Sequence, residues 1–161
     1  MRVRFEKISE LSENLVQFYT VRLGNNELTE FELFDEKVFP NHTHEVELAY
    51  NVILEIQKRG AYQHQFKPEH AANALPRVSQ QVMDDNKDDF GLRLYCILLT
   101  RELVVLLNGG IKTKRNPEDC ENVKDHFLRA KKIAVRLDKD FKNNEINYSD
   151  ENPFEDYEID I

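Results

Sequence analysis

Two apolar segments separated by three residues constrain this chain more than any other feature. Leu92 to Leu99 reads Leu-Arg-Leu-Tyr-Cys-Ile-Leu-Leu and Leu103 to Leu107 reads Leu-Val-Val-Leu-Leu, with only Thr100-Arg101-Glu102 between them. Successive side chains of a strand point to opposite faces. Leu92, Leu94, Cys96 and Leu98 therefore share one face, and Arg93, Tyr95 and Ile97 share the other. The second segment is apolar throughout, as a strand covered on both sides should be. So short a connection predicts an antiparallel hairpin. Asn108-Gly109-Gly110 then reads as a turn that ends the second strand.

The rest of the chain supplies elements to pack on that hairpin. Residues 1–8 alternate, with Val3 and Phe5 on one face, and predict a strand. Residues 15–23 are β-branched and aromatic and predict a strand or a short helix leading into one. Gly24-Asn25-Asn26 is a turn signal. The spacing predicts a helix over about 27–38, ended by Pro40, and a second over about 44–59 with Thr43 as its cap. Val46, Ala49, Tyr50, Ile53 and Ile56 form the apolar face of the second helix, and Gly60 closes it. Residues 61–91 read as mostly irregular, with a short helix near 78–85 and a polar linker from Asp84 to Asp89. Asn116-Pro117-Glu118-Asp119 reads as a cap, a first-turn proline and an acidic first turn. It opens a helix over about 118–141 whose stripe runs through Val123, Phe127, Ala130, Ile133, Ala134, Leu137 and Phe141. Tyr157 to Ile161 can form a short final strand. Strands and helices without βαβ alternation predict an α+β fold, a mainly antiparallel sheet packed against helices.

The chain has 161 residues and a formal charge of −8, the length of one domain with additions. Residues 145–161 hold seven acids and no Lys or Arg, so removing them from the total leaves −1 on residues 1–144. Residues 101–144 hold eleven Lys or Arg against seven Asp or Glu. The domain reading is a single α+β domain over 1–144 followed by an acidic tail over 145–161. The tail either screens an anion site or simply solubilises the chain. No apolar run reaches the ~18 residues of a membrane span, and the N-terminus lacks a signal-peptide core. With two cysteines, Cys96 and Cys120, and no export signal, the expected setting is a reducing cytoplasm. Membrane, collagen, coiled-coil and disulfide-scaffold classes are excluded.

Three groups of residues carry chemistry. Arg93 and Tyr95 share a strand face. A guanidinium beside a phenol can grip a phosphate and stack a base. Alternatively, Arg93 pairs with a carboxylate at the sheet edge and Tyr95 is core. Lys112, Lys114 and Arg115 follow the glycine pair, and cations can stabilise phosphoryl charge without a metal. They read equally as solvated residues of a bulged turn. Arg129, Lys132, Arg136 and Lys139 form a basic stripe, either a nucleic-acid surface or the wet face of the last helix. His42 with His44, and Cys120 with His126, fall short of a ligand set, so no metal and no cofactor are expected.

Leu92 to Ile97, followed by Leu103 to Thr113, resembles the core of the RelE/ParE-like toxin superfamily. The likeness places that core over about 44–141, with an N-terminal extension. A closer likeness, over nearly the whole chain, is to a subfamily from the Bacteroides group that shares Leu-Arg-Leu-Tyr-Cys-Ile and Cys-x-Asn-Val-Lys-x-His-Phe. The resemblance implies a toxin of a toxin–antitoxin pair, with a cognate antitoxin as partner and RNA as substrate. In the ribonuclease branch, cleavage is metal-free. Carried over, Arg93 binds phosphate, Lys112 is the base or charge stabiliser, and Tyr95 completes the catalytic set. Lys114 and Arg115 would be auxiliary cations, with Arg129 and Lys132 on the RNA surface. The alternative within the same likeness is a non-enzymatic protein–protein interaction module.

Overall fold

The hairpin lies at the heart of a seven-stranded sheet in the computed structural model, which describes residues 1–76 and 90–161. The helix expected near 78–85 and the linker from Asp84 to Asp89 lie outside the described residues. The strands are β1 (Arg2–Lys7), β2 (Gln17–Leu23), β3 (Lys67–Glu69), β4 (Ala72–Leu75), β5 (Gly91–Thr100), β6 (Leu103–Lys112) and β7 (Glu158–Asp160). Their spatial order is β3-β4-β5-β6-β2-β1-β7. Every neighbouring pair is antiparallel except β2 with β6, which run parallel over Gln17–Tyr19 and Leu103–Val105. The helices are α1 (Glu30–Lys37), α2 (Thr43–Arg59) and α3 (Lys124–Lys142). The fold class is thus α+β. No helix among the described residues is long and apolar enough to cross a membrane.

The strict alternation of β5 divides the interior into two cores. Tyr95 and Ile97 join Val105, Leu107 and the inner stripe of α3, which is Phe127, Ala130, Ile133 and Leu137. Leu92, Leu94 and Cys96 join Val104, Leu106, Phe31 and Phe34 of α1, and Val46, Ile53 and Ile56 of α2. A sheet covered on both faces needs apolar residues at almost every central position, and β5 and β6 supply them. α1 packs against β2 and β6. Its first turn is held by a capping box between Thr29 and Glu32 and by the Phe31 N–H donating to Thr20 Oγ1.

Several expected details are corrected. Residues 61–91 contain β3 and β4, which extend the sheet beyond β5. Ala-Asn-Ala-Leu lacks β-branched residues. Burial and pairing to β5 make it a strand, not propensity. Asn108-Gly109-Gly110 is not a turn, because β6 continues through it to Lys112. The glycines are required by close backbone approach. A Cβ on Gly109 would lie 1.7 Å from the Arg93 carbonyl oxygen, and one on Gly110 would lie 2.7 Å from that of Asn122. Asn116 caps only a 3-10 turn, Pro117–Asp119, and α3 begins at Lys124 rather than near 118. His42, not Thr43, is the N-cap of α2. The Thr43 hydroxyl instead donates to the Phe39 carbonyl.

The acidic segment 145–161 is built into the sheet and its core. Ile146, Phe154 and Ile159 are buried, and Phe154 stacks on Phe5 with centroids 4.4 Å apart. The Tyr157 hydroxyl donates to Asp140 Oδ2 at 2.7 Å, and the Met1 ammonium donates to the Ile161 carbonyl at 2.9 Å. Its seven acids are exposed while its apolar residues pack inward.

Candidate functional site

Arg93, Tyr95 and Lys112 share the α3 face of the sheet. Alternation along β5 places the first two there. A bulge places the third. Between the pairs Leu94–Gly109 and Cys96–Leu106, β6 holds one residue more than β5. The extra residue reverses the facing of everything after it, so Ile111 turns to the α1–α2 core and Lys112 to the side of Arg93. Without it Lys112 would share the facing of Val104 and Leu106.

All three side chains are buried. Arg93 and Lys112 are each 4% exposed and Tyr95 is 0% exposed. Arg93 Nε donates to Glu69 Oε1 at 3.3 Å, and Arg93 Nη1 donates to the carbonyl oxygen of Leu92 at 3.0 Å. Glu69 lies on β3, at the sheet edge, and is itself buried. The Tyr95 ring packs 5.9 Å from that of Phe127. Its hydroxyl has no hydrogen-bond partner among the described residues. Burial, and then the Glu69 carboxylate, push its pKa up. A permanent cation inside a core needs a counter-charge, and Glu69 provides it.

The remaining candidates lie elsewhere. Lys114 and Arg115 are exposed in the turn after β6. Arg129, on α3, donates from Nη1 to Glu30 Oε2 at 3.1 Å and so ties α3 to α1. His126 Nδ1 lies 4.0 Å from the same oxygen and is buried without a hydrogen-bond partner among the described residues. Burial, and then the Arg129 charge, push the His126 pKa down to about 4. Lys132 is exposed on the outer face of α3. The structure thus places Arg93, Tyr95 and Lys112 on one face of the sheet, Lys114 and Arg115 in the turn after β6, and Arg129 and Lys132 on α3.

Sequence reasoning missed two features. Cys120 is buried beneath the turn that follows β6, where its Sγ accepts the Thr113 N–H at 3.4 Å. Burial pushes this thiol up. Donors from Thr113, Asn122 and Lys114 outweigh that and hold it below the usual thiol range. The second feature is the outer surface of α3. Val135 is 55% exposed and lines two grooves. One, of about 570 Å³, runs between α3 and the end of β5 and includes Ile97, Leu99, Phe141 and Tyr148. Phe141 stacks on Tyr148 with centroids 4.7 Å apart. The other, of about 390 Å³, holds Leu128 and Ile161 beside Lys131, Lys132 and Arg136. A polar cleft of about 700 Å³ at the β2–β6 junction mixes Lys7 and Arg101 with Glu102, Asp150 and Glu151. The apolar spacing of α3 gives its inner stripe as far as Leu137, but Phe141, expected to continue that stripe, is exposed on the outer surface, where Val135 is also exposed and Leu128 half-buried.

Among the described residues no group of three or more His, Cys, Asp or Glu side chains is placed to hold a metal ion. Comparison with models of protein families, with curated proteins and with solved structures finds no match to this chain.

Proposed function

We propose that the chain is a protein–protein interaction module of the RelE-like kind, which binds a polypeptide rather than turning over a substrate. One observation carries this reading. The outer face of α3 presents Val135 and Phe141 at a groove that also includes Ile97, Leu99 and Tyr148, Phe141 being 46% exposed. Exposed apolar side chains gathered at a groove mark a surface that a partner covers. The cations best suited to phosphate chemistry support it by their burial, Arg93 being committed to Glu69. The partner presents apolar side chains to the groove, and the antitoxin implied by the resemblance is the first protein to try.

A second reading, metal-free endoribonuclease, is favoured by the shared face of Arg93, Tyr95 and Lys112. Incubating the purified chain with total RNA and ribosomes separates the two. The interaction module leaves RNA intact. Cleavage by the wild type that Arg93→Ala/Lys112→Ala abolishes would overturn that reading and establish the second.

A further inference from the structure

Leu128 and Val135 stand two turns apart on the outer face of α3, and every charged residue between them is a cation: Arg129, Lys131 and Lys132. Helical spacing puts Lys131 on one side of the line that joins them, with Lys132 and Lys139 on the other. Lys132, Val135 and Lys139 are exposed, and Leu128 and Lys131 are half-buried. The groove beside this line is lined by Leu128, Val135 and Ile161 together with Lys131 and Lys132. Lysine stems cover apolar surface while their ammonium groups reach water, so the groove has an apolar floor and a basic rim. Among the described residues Lys131, Lys132 and Lys139 take part in no ion pair, whereas their neighbours Arg129, Arg136 and Lys142 are held by Glu30, Asp140 and Asp138. The Lys131 ammonium lies 5.9 Å from the Phe127 ring centroid, a contact that steadies the charge without neutralising it. α3 holds seven Lys or Arg against three Asp on a chain of formal charge −8, so the excess of acid lies everywhere else.

We propose that this outer stripe of α3 binds an acidic amphipathic segment of a partner protein, whose apolar side chains enter the groove at Leu128, Val135 and Ile161 while its carboxylates meet Lys131, Lys132 and Lys139. The inference deepens the reading of the chain as a polypeptide-binding module and rests on it. Charge complementarity identifies the occupant. Three cations without a counter-charge of their own attract carboxylates or phosphates, and the apolar line between them decides which. A nucleic-acid backbone would leave Val135, 55% exposed, against charged phosphates. An amphipathic segment lays its apolar face on that line and its acids on either side. The total charge of −8 does not prevent this. Screening at physiological salt limits each charge to about 8 Å, so the stripe itself sets the potential that a docked segment meets.

Panning a phage-displayed library of random peptides against the full chain tests this. The enriched peptides should be rich in Asp and Glu, poor in Lys and Arg, and carry apolar residues at helical spacing. Synthesised and labelled, they should bind Lys132→Glu/Lys139→Glu about tenfold or more weakly than wild type, because the variant sets like charges together. Exchange of the peptide's Glu for Gln should weaken binding to the wild type as well. Both lysines are exposed, and circular dichroism checks that the variant is folded. Val135→Ser keeps every charge and removes the apolar centre. It should also weaken binding, and it serves if the charge variant precipitates. Failure to enrich any peptide, enriched peptides that are neutral or basic, or acidic ones that bind the charge variant as tightly as wild type would overturn the proposal. A labelled RNA oligonucleotide that binds these lysines while no acidic peptide is enriched would overturn it in favour of nucleic acid. RNA cleavage in the assay above would instead overturn the interaction reading itself, so the two failures are distinguishable.

Discussion

Arg93 Nε lies 3.3 Å from Glu69 Oε1 with both side chains buried, which joins the centre of the sheet to its edge strand β3. Breaking a buried ion pair by removing one member is destabilising, by about 3–5 kcal/mol, whereas replacing both by apolar residues is far milder. Urea unfolding should therefore show Glu69→Ala much less stable than Arg93→Met/Glu69→Leu. A Glu69→Ala loss below about 1 kcal/mol would be that of a solvated pair and would contradict this.

The glycines of β6 are set by close approach. Gly109→Ala places a methyl 1.7 Å from the Arg93 carbonyl oxygen, so the β5–β6 ladder must open. Gly110→Ala meets the Asn122 carbonyl at 2.7 Å, where the chain leading into α3 can yield. Overpacking of this kind destabilises by about 1–3 kcal/mol. Thermal melts should rank Gly109→Ala below Gly110→Ala, and both below wild type. Equal melts would place these residues in a turn after all.

His126 gives stability a pH dependence. It faces Glu30 and Arg129, with Asp125 and Lys37 contributing charge, and its folded pKa is about 4 against an ordinary 6.5. Below 6.5 the unfolded chain takes a proton that the folded chain does not, so stability falls as the pH drops from 6.5 towards 4. The loss is at most about 3 kcal/mol. Unfolding by urea at steps across this window, with wild type compared with His126→Asn, isolates the effect from the carboxylates. The variant should have the shallower slope, and parallel curves would place His126 in solvent.

Residues 145–161 are a structural wall, so their deletion should unfold the chain rather than uncover a cation site. Phe154→Ala alone should cost about 3–5 kcal/mol, the amount for an aromatic side chain lost from a core. Circular dichroism of the truncated chain checks this. A truncated protein that melts like wild type would make the segment a detachable tail.

These predictions also show how far the sequence could be read. The alternation of Leu92 to Leu99 separated the two cores correctly, because each face of a central strand must match what covers it. The spacing from Phe127 to Leu137 gave the inner face of α3 for the same reason. β3 and β4 escaped notice because Lys-Pro-Glu and Ala-Asn-Ala-Leu carry no strand propensity and form by pairing to β5. Glu69 was therefore unseen, although a sheet-edge carboxylate for Arg93 was among the alternatives. The bulge opposite Tyr95 leaves no mark in residue types, so the facing of Lys112 follows only from the ladder. The glycine pair fits a turn and a close approach equally well in sequence, and the backbone at Arg93 and Asn122 decides between them.

Polypeptide binding without RNA cleavage is the function proposed for this chain. Its most direct test is expression of the wild type and of Arg93→Ala/Lys112→Ala from a tight promoter at matched soluble levels, with growth and bulk RNA integrity followed together. Unimpaired growth and intact RNA in both strains is the predicted result. Growth arrest with RNA cleavage in the wild type alone would contradict it and place a ribonuclease site at Arg93 and Lys112.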